Sequence, residues 1–346
     1  MSAARVETSA QIPHPRQTMS LFGHRDAEQA LLHAYQSGRI PHAWLIGGAH
    51  GIGKATLAYR MARFVLAHRD PLAQQVQSAN TLEIDPSHPV ARHVAADSHG
   101  GLLTLERTLN DKGVMRTVIT VDETRETISF FGSTAAVEGW RVCIVDTVDE
   151  LNANAANALL KVLEEPPRQS LFLLVSHAPA RVLPTIQSRC RKLPLRPLAP
   201  DDVIHAAAEA AQIPLGDPAL TEAAAAAEGS VARALTLLGG DALKLHQRTA
   251  ALLKSLPRVD PRELHALGDS LGGSDRALLA AFVDSVDRWI AERLRADDAN
   301  ANLPRLARLA EVWEKINRAA RDTADYNLER KPLVFSVFGL LAEAIN

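Results

Sequence analysis

Residues 43–68, AWLIGGAHGIGKATLAYRMARFVLAH, constrain the fold more than any other stretch of this chain. An apolar run, AWLIGG, leads into a G-x-x-x-x-G-K string at Gly48, Gly53 and Lys54. Beyond it, Leu57, Met61, Phe64 and Val65 recur at helical spacing on one face. Strand, glycine loop and helix in that order is the context a phosphate-binding loop requires. The glycines, Gly51 among them, let backbone N–H groups and the helix N-terminus wrap phosphate oxygens, and Lys54 adds a positive charge. The usual loop ends in Ser or Thr, whose hydroxyl ligates magnesium; here that place holds Ala55. Thr56 lies one residue late, about 100° further round the helix.

The rest of the first 200 residues supports a doubly wound α/β domain built on a parallel sheet. The segments MRTVITVD, WRVCIVD and SLFLLVSH read as strands, the last two apolar enough to lie inside a sheet. Residues 21–38 read as a helix, as does NANAANALLKVLEE, which Pro166 and Pro167 close. Asp122 can cap a helix running to Phe131. Residues 69–111 have weak periodicity and hold Pro71, Pro86, Pro89, Gly100 and Gly101, which predicts an irregular insertion. The first 19 residues are polar and predict a disordered tail. After Leu198 only helical signals remain. The expected division is a phosphate-loop domain over 20–198, a small helical lid over 199–240, and an all-α domain over 241–346.

WRVCIVD ends in Asp146, where a phosphate-loop enzyme holds magnesium, and the next residue is normally a Glu that activates water. Here it is Thr147. Asp149 and Glu150 fall where the strand has turned, and read as a solvated helix start. Loss of a general base alone is worth about 10²–10⁴ in rate. Ala55 and Thr147 together argue against efficient hydrolysis and leave nucleotide binding open. Further on, LPTIQSRC places Arg189 after a strand-following loop, either as a solvated surface charge or as an arginine offered to a neighbour's γ-phosphate.

The ordered set GRIPHAWLIGG, GIGKAT, VDTVDELNANAANALLKVLEEPP and LPTIQSRC resembles the clamp-loader family of AAA+ proteins over residues 20–200, and GSVARAL extends the likeness to about 235. The resemblance implies that Gly48, Gly51, Gly53 and Lys54 are the phosphate loop, with Thr56 beside it. It also implies that Asp146 is the metal-binding carboxylate, that Ser176 and His177 hold a sensor position, and that Arg233 is a second sensor reaching from the lid. Arg189 becomes an arginine finger acting in trans. The all-α domain becomes the family's collar.

The implied function is a non-hydrolysing stator of the bacterial DNA polymerase III clamp loader. Its partners would be gamma/tau and delta subunits, the sliding clamp and, through the complex, primer–template DNA. An active gamma/tau-type ATPase is the rival; it calls for a hydroxyl at 55, Glu at 147 and, in tau, a long C-terminal extension. ATP is expected at a weak or vestigial site, and magnesium is doubtful. Relatives often carry a four-cysteine zinc module between the loop helix and the next strand. No cysteine lies in 69–111, and His88, His93 and His99 read as loop residues, so no zinc is expected.

Composition agrees. The net charge of −2 and 4% aromatics give neither a basic field nor base-stacking platforms, against a helicase or an independent nucleic-acid binder. Cys143 and Cys190 alone fit a reducing compartment. No apolar run approaches the roughly 20 residues of a membrane span, so no membrane partner and a cytoplasmic location are expected.

Overall fold

The computed structural model describes residues 13–108, 116, 118–120, 127, 130–131, 139–238, 240–272, 276–296 and 303–345. Two compact units divide at residues 233 and 234. The first is α/β. Its five strands, β1 (Ala43–Gly47), β2 (Leu102–Glu106), β3 (Arg141–Asp146), β4 (Ser170–Ser176) and β5 (Arg191–Pro194), form one sheet in the order β2-β3-β4-β1-β5. Every pairing is parallel.

Alternation along the strands creates two cores. Trp44 and Ile46 of β1, Val142 and Ile144 of β3, and Leu171, Leu173 and Val175 of β4 face one side. There they meet α1 (Arg25–Gln36) and α2 (Lys54–Ala67) through Leu31, Leu32, Tyr35, Leu57, Met61 and Phe64. Ala43, Leu45, Cys143, Val145, Phe172 and Leu174 face the other. They pack there on Ala156, Leu159 and Leu163 of a third long helix, Ala153–Glu164. Each fully buried aliphatic side chain contributes roughly 1.5–3 kcal/mol, so a central strand apolar on both faces is favourable only between two helical layers. Asn152 starts that third helix by accepting Ala155 N–H at 2.8 Å.

Residues 69–108 are more ordered than the weak periodicity of 69–111 predicts. Val76, Leu82, Ile84, Ala91 and Val94 join the first core, short helices cover Gln74–Gln77 and Pro89–Ala95, and β2 closes the sheet edge. The three histidines expected as loop residues make local bonds: His88 Nδ1 accepts Val90 N–H at 3.2 Å, His93 Nδ1 meets Ser98 Oγ at 3.2 Å, and His99 Nδ1 accepts Gly101 N–H at 3.1 Å. The expected strand at 115–122 and the helix to Phe131 lie largely outside the described residues; Ile119 makes an isolated parallel bridge to Leu151.

Residues 13–19, expected within a disordered tail, pack on α2, with Arg63 donating to the carbonyls of Arg16 and Thr18 at 2.8 and 2.9 Å. Beyond β5 the first unit continues in helices Pro200–Ala211 and Pro218–Ala227. The second unit is all helical among its described residues, with Phe282, Val286, Ile290, Leu309, Ile316, Val334 and Phe338 in its core. Its four longest helices are Gly240–Ser255, Arg276–Ala296, Leu303–Asp325 and Arg330–Ile345.

Candidate functional site

Because the strands are parallel, Gly47, Glu106, Asp146 and Ser176 all end on one edge of the sheet, with Gly47 paired to Ser176 and Glu106 to Asp146. The glycine loop leaves β1 there and enters α2 at Gly53, whose φ is 96°. Lys54 is 3% exposed. Its Nζ donates to Gly48 O at 2.8 Å and also to Ala49 O, so the ammonium is turned back onto the carbonyls of its own loop. Burial pulls its pKa down to about 8, against the pull of Asp146 and Asp149.

The loop is covered by its own chain. Gly51 has φ 74°, and a Cβ there would lie 2.4 Å from Ser230 Oγ and 2.7 Å from Ala232 Cβ. Ala232 N–H donates to Gly51 O at 3.3 Å. His24 Nε2 lies 2.7 Å from Ile52 O. Arg233, the residue implied as a second sensor, is buried beside this contact, its backbone N–H donating to Ser230 Oγ at 3.3 Å. Thr56 is half-buried on the first turn of α2, and Thr147 is buried.

Asp146 is pushed up to about 6, first by burial and then by Glu106, against the pull of Lys54. Asp149 is not simply a solvated helix start. It accepts His177 N–H at 3.1 Å, and its charge reaches Lys54 and His177. Glu150 pairs with Arg107 at 2.9 Å. The His177 ring stands edge-on to His50, with centroids 4.7 Å apart. Burial, then Lys54 and His50, hold its pKa down to about 4.

A depressed histidine stays neutral in the folded state while the unfolded chain protonates near 6.5. Its contribution to stability is therefore present above pH 6.5 and lost as pH falls toward 4. His177→Gln is expected to flatten that acid loss by about 1–2 kcal/mol, a figure discounted for partial exposure. Urea midpoints at pH 7.5 and 4.5 check it; parallel pH profiles for both proteins would contradict it.

Cradle and metal site fare differently. Gly51, Gly53 and Lys54 fit a phosphate by type, though Lys54 would have to give up its bonds to Gly48 and Ala49. A loop magnesium would lack one usual ligand, since Ala55 offers no hydroxyl. Among the described residues no three His, Cys, Asp or Glu side chains are grouped to hold an ion. Glu106, invisible to the sequence reading as a site residue, stands beside Asp146. One signal could have found it: LLTLE is an apolar run ending in a carboxylate, as RVCIVD is.

Arg189 belongs to a different set of neighbours. It follows the short helix Pro184–Gln187, with its side chain 33% exposed. Its guanidinium donates through Nη2 to Glu164 Oε1 at 2.6 Å and through Nη1 to Thr185 O at 2.8 Å.

A family model described as DNA polymerase III, delta subunit, matches residues 23–199, just over half of the chain. A Pseudomonas aeruginosa protein named DNA polymerase III subunit delta' is 36% identical over 149 residues, 43% of this chain and 41% of the relative. This chain belongs to the DNA polymerase III delta-prime family. The Escherichia coli delta' subunit is 31% identical over 234 residues, 67% of this chain and 65% of its own. A Mycobacterium tuberculosis protein named subunit gamma/tau is 27% identical over 327 residues, 91% of this chain and 53% of its own. The chain thus spans between 41% and 65% of the length of these relatives. The family-model match includes the glycine loop, Asp146 and Arg189, and ends before Ser230 and Arg233. Among the described residues, no helix is long and apolar enough to cross a membrane.

Proposed function

We propose that this chain is a non-hydrolysing subunit of a bacterial clamp loader in the cytoplasm. It stacks beside a gamma/tau-type ATPase, joins a delta-type subunit, and helps place the sliding clamp on primed DNA. Its chemical contribution is Arg189, offered to the neighbour's ATP. The carrying observation is the division between two places in one unit. At the chain's own loop, the residues for metal and water are Ala55 and Thr147, and Lys54 is spent on Gly48 and Ala49. The Arg189 side chain is meanwhile one-third exposed, its guanidinium steadied by Glu164 and Thr185.

An arginine fork suits this role because its planar donors match phosphate oxygens and its charge is permanent. In this reading a nucleotide at the chain's own loop is held weakly, without magnesium, and no zinc is used. The gamma/tau reading draws on the 27% identity across 91% of the chain, and Ala55 and Thr147 stand against it. The test is reconstitution with gamma/tau- and delta-type subunits, clamp and primed DNA. Arg189→Ala should assemble normally and fail to support the neighbour's turnover.

A further inference from the structure

Residues 14–19 lie before the family-matched span, yet they are fastened to α2 by two buried arginines. Arg63, 1% exposed, caps the carbonyls of Arg16 and Thr18, and Arg60 Nη1 donates to Met19 O at 2.7 Å. Buried guanidinium groups aimed at backbone carbonyls fix the course of a segment, because releasing it would strand those charges in the interior. So anchored, the segment turns two side chains onto the sheet edge that carries the candidate metal carboxylate. His14 Nε2 lies 3.3 Å from Glu106 Oε2, and its ring stands edge-on to Tyr59 with centroids 5.9 Å apart. Arg16 Nη1 lies 3.1 Å from Asp97 and 3.9 Å from Glu106 Oε1. Glu106 and Asp146 are register partners on adjacent strands.

Two carboxylates at neighbouring strand ends repel unless a cation stands nearby. A phosphate-loop enzyme places a divalent ion there with the help of a loop hydroxyl, which Ala55 lacks. We infer that the 14–19 segment is a built-in counter-ion strap: acting on Glu106, His14 and Arg16 offset the repulsion within the Glu106–Asp146 pair and hold this edge of the sheet in a magnesium-independent state. His14 supplies a directed hydrogen bond, Arg16 a permanent charge, and Arg60 with Arg63 the fixed backbone that presents both.

Thermal melting of the full chain tests the strap through a magnesium response. Wild type is expected to melt at one temperature with and without millimolar magnesium chloride, at matched ionic strength. The double change His14→Gln with Arg16→Gln is expected to lower the melting temperature by about 2–4 °C, and magnesium should recover at least half of that. Adding Glu106→Gln removes the repulsion, so the triple variant should melt close to Glu106→Gln alone, short only of the exposed Arg16–Asp97 pair, and ignore magnesium. The inference is overturned if the double variant melts like wild type, if its loss is blind to magnesium, or if the magnesium response survives Glu106→Gln. Failure of the double variant to fold would be decided by the triple variant, whose failure as well would also overturn it.

Discussion

Arg189→Ala, in a loader rebuilt with gamma/tau- and delta-type subunits, is expected to lower clamp- and DNA-stimulated ATP turnover by about 10³-fold. That is the lower end of what an arginine supplied in trans provides at a γ-phosphate, where charge spreads over the equatorial oxygens as the bond to the leaving group loosens. Lysine is not a substitute, because it carries the charge without the fork; Arg189→Lys should recover little. Assembly should survive either change. In its own unit Arg189 makes an exposed pair with Glu164, 50% exposed, and such pairs contribute about 0–1 kcal/mol. Complex formed at wild-type yield with turnover nearly gone would separate a catalytic role from a structural one. Turnover within about twofold of wild type, set against that 10³-fold expectation, would mean that Arg189 is a solvated surface charge.

The largest expected stability effect lies elsewhere, at Glu28. Its Oε1 accepts Arg60 Nε at 2.6 Å and Leu82 N–H at 3.0 Å, and both ionised side chains are buried. Glu28→Ala leaves a guanidinium without its counter-charge and a backbone donor without an acceptor. A broken buried pair costs about 3–5 kcal/mol. Glu83 is a weak replacement, 3.7 Å from Arg60 and 70% exposed. Urea unfolding should show a lower midpoint at an unchanged slope. Replacing both partners, Glu28→Leu with Arg60→Met, should recover a good part of the loss, since no charge is then left buried. A double variant less stable than Glu28→Ala would contradict this account and would shift the weight to the Arg60 contact with Met19.

The central strands were legible in the sequence, and the edges were not. RVCIVD and SLFLLVS are apolar on both faces because each lies between helical layers, and continuous apolar runs leave little ambiguity. β2 and β5 each pair on one side only, and Leu105 and Leu193 are their sole buried residues. Half-exposed edges carry ordinary polar residues, so LLTLE passed as part of an insertion and RKLP gave no strand signal. The glycine loop was legible as a motif because its chemistry is local. Its closure was not, because Ser230 and Ala232 arrive from about 180 residues away. Asp149 gains a role only when β4 brings His177 N–H to it. Residues 14–19 look like any polar tail until Arg60 and Arg63 collect their carbonyls. What escaped the sequence in each case was long-range placement, and Glu106 alone had a local signal that could have been read.

The account holds that this chain lends its chemistry to a neighbour and does none at its own loop. Steady-state ATP turnover by a reconstituted loader carrying Lys54→Ala in this chain alone tests that most directly, beside the same loader carrying Arg189→Ala. Turnover is predicted to stay at the wild-type rate with Lys54→Ala and to collapse with Arg189→Ala. A comparable collapse with Lys54→Ala, in a complex that still assembles, would contradict the account and make this chain a working ATPase.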